Sequence, residues 1–141
     1  MTNNRTVKNN SLNYNIIQQD KREKEMTVKE FYKAIEGNYN EAKDRMMNEG
    51  LILKFSLKFA EDKSFGDLKS ALGRNDIGEA FRAIHTLKGV SGNMAYTKLY
   101  NACCDLTENL RPLTEPVNEE LLKRVEEAYG QVMDNIVKLD R

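Results

Sequence analysis

The sequence predicts an all-α fold: an antiparallel four-helix bundle with a short extra N-terminal helix and a mobile tail ahead of it. Three observations carry that expectation. Apolar residues recur at three- and four-residue intervals through most of the chain after Met26. Capping patterns open two of these segments, Thr27 with Glu30 and Asp76 with Glu79. Only one run, Leu51 to Phe59, alternates like a strand, and a lone strand has no partner with which to build a sheet.

Taken in order, residues 1–25 are polar, with Asn3, Asn4, Asn9, Asn10, Asn13 and Asn15. Such a stretch buries too little apolar surface to offset its ordering entropy, so a mobile tail is expected. Tyr14-Asn15-Ile16-Ile17 is its apolar island, able in principle to dock on the domain, although a free tail is the main expectation. The domain proper is assigned to 26–141. Thr27 caps a short helix carrying Phe31 and Ile35 on one face, with Gly37 as its stop. A second short helix starts at Asn38 or Asn40, with Ala42, Met46 and Met47 as its apolar side.

From Leu51 to Ala60, two helical rows fit the sequence: Ile52, Phe55 and Phe59 beside Leu53, Leu57 and Ala60. This helix is expected to continue, bent near Ser64-Phe65-Gly66, through Leu68 and Leu72 to Gly73. Asp76 opens the next helix, whose buried stripe is Ile77, Ala80, Phe81, Ile84, Leu87, Ser91 and Met94. A further helix runs from about Thr97 to Leu110 with Leu99, Cys103, Leu106 and Leu110 inward. Pro112 and Pro116 bound a loop. The last helix, from about Asn118 to Leu139, carries Leu122, Val125, Tyr129, Val132, Ile136 and Leu139. Four long amphipathic segments with short connections make a bundle.

Composition narrows function. With 141 residues the chain suits one domain. Its 22 Lys plus Arg balance 22 Asp plus Glu, so no basic field argues for nucleic acid. No apolar run approaches the roughly 18 to 20 residues of a membrane span. The N-terminus lacks a signal peptide's apolar core, so a cytoplasmic protein is expected. Cys103 and Cys104 are adjacent, a poor geometry for a mutual disulfide and no zinc spacing, and are read as reduced thiols. No metal site is expected.

The single histidine, His85, is the chemically informative residue. Imidazole is a good nucleophile in its neutral form. His85, Lys88, Gly89 and Gly92 fall at offsets 0, 3, 4 and 7, one contiguous helical surface on the flank of the buried stripe. Two glycines inside a helix cost roughly 1 kcal/mol each against alanine, which suggests that something must come close there. A cation and an imidazole suit an anion, and a phosphoryl group most naturally. Nothing in the chain suggests a nucleotide loop or a magnesium-binding acidic cluster.

The run His85-Thr86-Leu87-Lys88-Gly89-Val90-Ser91-Gly92-Asn93-Met94 resembles the His-x-Leu-Lys-Gly signature of the histidine-containing phosphotransfer (HPt) domain. The similarity extends from about Asn38 to Leu139 and includes Phe59-Ala60-Glu61-Asp62. It implies a four-helix bundle, His85 as phosphoryl acceptor, Lys88 stabilising the phosphoryl charge, and Gly89 and Gly92 as room for a docking partner. It further implies that the partners are receiver domains of hybrid histidine kinases and response regulators, with magnesium held by the receiver and no cofactor held by this chain. A carrier with one accessible site has no need of a second copy, so a monomer is expected. One position departs from the pattern. Ala95 stands where family members often have glycine, and as a small helix former it is expected to do little harm. The alternative reading is a receiver- or kinase-binding module that sequesters or adapts without passing phosphate. The intact histidine favours transfer, and the missing nucleotide site weakens a kinase reading.

Overall fold

Side-chain caps begin five of the seven helices in the described part of the chain. Thr27, Asn38, Asn48, Asp76 and Asn118 each accept a hydrogen bond from the backbone N–H three residues on. At Thr27 the box is reciprocal, with the Glu30 carboxylate accepting from the Thr27 N–H. The computed structural model describes residues 25–140, so the expected tail at 1–25 lies, but for Glu25, outside the described residues. The helices are α1 (Val28–Ala34), α2 (Tyr39–Met46), α3 (Glu49–Phe59), α4 (Ser64–Gly73), α5 (Ile77–Asn93), α6 (Thr97–Leu110) and α7 (Glu119–Ile136). The fold is all-helical, as expected. Among the described residues the only bridge of β type is an isolated parallel one between Met26 and Leu139.

Helices adjacent in sequence are adjacent in space: α4 packs on α5, α5 on α6, and α6 on α7. Ile84, Leu87, Leu99, Leu106, Leu110 and Val125 are fully buried between them. Helices α1 to α3 pack across one end, where Phe31, Tyr32, Phe59 and Tyr96 form an aromatic cluster, three of its contacts edge-to-face and the Tyr32–Tyr96 pair tilted. Among the described residues, no helix is long and apolar enough to cross a membrane.

Five local expectations are corrected. The helix expected to bend near Ser64–Gly66 is instead two helices, α3 ending at Phe59 and α4 starting at Ser64. The Asp62 carboxylate accepts from the Ser64 N–H at 2.8 Å, and that competing bond breaks the backbone ladder before the expected bend. Phe55, expected in a buried row, is 40% exposed, whereas Ser56 is buried and satisfied by the Tyr96 hydroxyl at 2.8 Å. Met47 is not apolar lining: it is 81% exposed and left-handed at φ 68°, ending α2. Leu139 is buried, but beyond the end of α7, beside Met26.

The stop at Gly37 is the fifth. The left-handed residue there is Glu36, at φ 56°, and no described glycine has positive φ. Gly37 is instead needed for space: a Cβ would lie 2.9 Å from both the Ala95 carbonyl oxygen and the Tyr32 ring. Ala95 is likewise not helical. It sits past the end of α5 at φ 57°, buried, so its helix propensity has no bearing on this position. A left-handed alanine carries a cost of roughly 1–2 kcal/mol.

Candidate functional site

Helix α5 is amphipathic, and its burial fixes which side chains face out. Ala80, Ala83, Ile84, Leu87 and Ser91 are buried, while His85 and Gly89 are exposed and Lys88 and Gly92 are half-buried. Ala83 is an unforeseen member of the buried stripe, and Ile77 and Phe81 lie at its half-buried margin. Ser91 is satisfied locally by the Lys88 carbonyl at 3.1 Å. His85, Lys88, Gly89 and Gly92 come together along one groove of about 520 Å³ between α5, α6 and α2.

The imidazole meets Phe81 edge-on at 5.9 Å between ring centroids, which braces one side of the ring and leaves the other to solvent. The far side of this corner is cationic. The Arg111 guanidinium lies 5.5 Å from the Phe81 ring centroid and pairs with Glu108 at 2.9 Å. The Glu108 carboxyl is held below its ordinary range, chiefly by hydrogen bonds from Arg111, with the Lys88 charge adding to the effect. Lys88 thus stands within electrostatic reach of the Glu108 carboxylate on α6. Lys88, Arg45 and Glu41 are the charged side chains that line the groove with His85, a net positive lining that favours an incoming anion.

The two glycines do different things. Around Gly89 nothing lies within 4 Å of where a Cβ would be, so the helix backbone is bare to solvent one turn from His85. At Gly92 a Cβ would lie 2.9 Å from the Tyr100 ring, so the room there is filled from inside the protein. The Gly92 carbonyl also accepts from Arg45, which is paired in turn with Glu41 of the same helix. Arg45 thereby adds a side-chain donor to a carbonyl at the end of α5 that also accepts from the Ala95 N–H at 3.1 Å. Neither Arg45 nor Tyr100 was legible as a site residue in the sequence.

This contrast makes a test. Gly92→Ala should cost about 1–3 kcal/mol in thermal or denaturant unfolding, because the Tyr100 ring must move. Adding Tyr100→Leu should recover much of that loss. Gly89→Ala, on an open helical site, should be neutral or stabilising by up to about 1 kcal/mol. A neutral Gly92→Ala would show that Tyr100 is not what requires the glycine.

Among the described residues, no group of three or more His, Cys, Asp or Glu side chains is placed to hold a metal ion. Both cysteines are free; burial pushes the Cys103 thiol up to about 12, leaving it inert at neutral pH. The site therefore offers one accessible nucleophilic nitrogen, a nearby ammonium and an open stretch of helix backbone. A model of the Hpt domain family matches residues 61–135, from within the α3–α4 turn to the last turn of α7. No curated protein and no solved structure matches the chain.

Proposed function

The chain belongs to the Hpt domain family, with the phosphotransfer role in two-component signalling which that implies, and on this premise we propose that it is a phosphorelay intermediate. In this reading His85 accepts a phosphoryl group from a receiver aspartate and passes it to the receiver of a response regulator. The observation that supports it is the placement of His85, exposed on α5 beside Lys88 and the bare backbone at Gly89. The deprotonated imidazole nitrogen attacks phosphorus, the N–P bond forms, and the aspartyl P–O bond breaks to release a carboxylate. Onward transfer reverses these roles. Lys88 offsets charge on the phosphoryl oxygens, and the remaining neutralisation, magnesium included, comes from the receiver. The chain itself supplies position rather than a full catalytic set.

The test is label transfer. Receivers of the source organism, phosphorylated with a small labelled phosphodonor, should pass acid-labile, base-stable label to this chain. If no receiver does so, the carrier reading fails. Lys88→Ala should slow transfer roughly tenfold, equivalent to about 1.4 kcal/mol, while receiver affinity stays within about twofold, because the lost charge acts on the moving group. Equal losses in rate and affinity would make Lys88 a docking residue only. A module that binds receivers without passing phosphate has no need of an exposed imidazole, and no observation here favours it.

A further inference from the structure

Helices α5 and α6 run in opposite senses, and two contacts set their register. A Cβ at Gly92 would lie 2.9 Å from the Tyr100 ring, and the Arg111 guanidinium lies 5.5 Å from the Phe81 ring centroid. The steps from 92 back to 81 and from 100 on to 111 are equal, so position 108 on α6 is level with position 84 on α5. Glu108 is thereby brought to the level of His85, with Lys88 one helical turn further along. This placement agrees with the electrostatic reach between Glu108 and Lys88. A carboxylate and an ammonium this close attract one another. Yet among the described residues Lys88 forms no ion pair.

Arg111 holds Glu108 instead. Its Nε and Nη2 donate hydrogen bonds of 2.9 to 3.2 Å to both oxygens of that carboxylate, the forked geometry in which a guanidinium grips most firmly. The guanidinium is itself seated over Phe81, the ring that meets His85 edge-on. Arg111 does not line the His85 groove, so any effect it has on the phosphoryl group passes through another residue. The carboxylate inside the groove, Glu41, is occupied in the same way by Arg45. We infer that Arg111 is a positioning residue: by gripping Glu108 it keeps that anion off the Lys88 ammonium, which stays available to the phosphoryl oxygens. The inference rests on the carrier reading, which gives Lys88 that task.

The test is a double-mutant cycle in the full-length chain, read as the rate of label transfer from a phosphorylated receiver. Arg111→Gln should slow transfer about three- to fivefold, the scale of an exposed ion pair formed between Lys88 and the released Glu108. With glutamine at 108 there is no anion to divert. Glu108→Gln and the double variant should therefore transfer equally, at or above the wild-type rate. The Arg111 and Glu108 side chains are 51% and 63% exposed, so the melting temperatures of all three variants should match wild type. The crystal structure of Arg111→Gln should place the Glu108 carboxylate within about 4 Å of Lys88 Nζ, a readout that needs no receiver. Intact transfer with Glu108 still turned from Lys88, or an Arg111→Gln loss of the same size whichever residue stands at 108, would overturn this inference alone. Transfer from no receiver would end the carrier reading, and the inference with it.

Discussion

Replacing His85 with glutamine is expected to abolish label transfer to this chain, a loss of at least about a thousandfold, which is over 4 kcal/mol of transition-state stabilisation. The reason is chemical. The amide nitrogen of glutamine has its lone pair delocalised into the carbonyl and cannot form a phosphoramidate, and no second histidine exists to substitute. The fold, by contrast, should barely notice. His85 is exposed, its noted packing partner is the edge of Phe81, and glutamine is a good helix former, so the change in unfolding free energy should stay within about 0.5 kcal/mol. Transfer measured by autoradiography and stability measured by thermal unfolding must therefore separate. Label retained on His85→Gln would place the acceptor elsewhere and end the proposal. Receiver binding should persist in this variant, since Gly89 and Lys88 still present the same surface.

How much of this was legible before the fold was seen follows from which forces act locally. The bounds of α5 and α6 were readable because a capping aspartate and an unbroken three-four apolar stripe are properties of neighbouring residues. So was the exposure of His85, which follows from its angle to Ile84 and Leu87. The division of α3 from α4 was missed, although at about 100° per residue Leu68 falls on the opposite side from Phe59, a phase break in the apolar rows. The deciding event is a single bond from the Ser64 N–H to Asp62. Arg45 illustrates the harder limit. It precedes Gly92 by 47 positions and recognises a backbone carbonyl, which has no residue identity to read. Gly92 is the intermediate case. The sequence showed that a glycine was needed there, but only the position of Tyr100 shows that the protein itself fills the space.

The same kind of long-range contact sets the largest expected effect on stability. Tyr96, at the turn from α5 to α6, is fully buried, and its ring lies 5.2 Å from Phe59, 5.6 Å from Tyr32 and 5.9 Å from Phe31. Its hydroxyl donates to Ser56 at 2.8 Å. All four partners precede residue 61, where the family match begins, so Tyr96 fastens α1 and α3 to the part of the chain that carries His85. Tyr96→Ala should cost about 3–5 kcal/mol and lower the melting temperature by roughly 10–20 °C. Tyr96→Phe keeps the ring and removes one buried hydrogen bond, for a loss nearer 1 kcal/mol. The two variants together apportion the contact between packing and polarity. Burial raises the pKa of both Tyr32 and Tyr96 above the ordinary value of 10.0, so ionisation is resisted in the folded state only. Their contribution is complete below pH 10 and fades as the pH climbs beyond it, so wild type should lose stability in that range more steeply than Tyr96→Phe. A Tyr96→Ala loss under 1 kcal/mol would mean that the helices before residue 61 are not held by this cluster. A loss of the expected size, with transfer to His85 preserved below the melting range, would show that Tyr96 stabilises the fold without taking part in the chemistry.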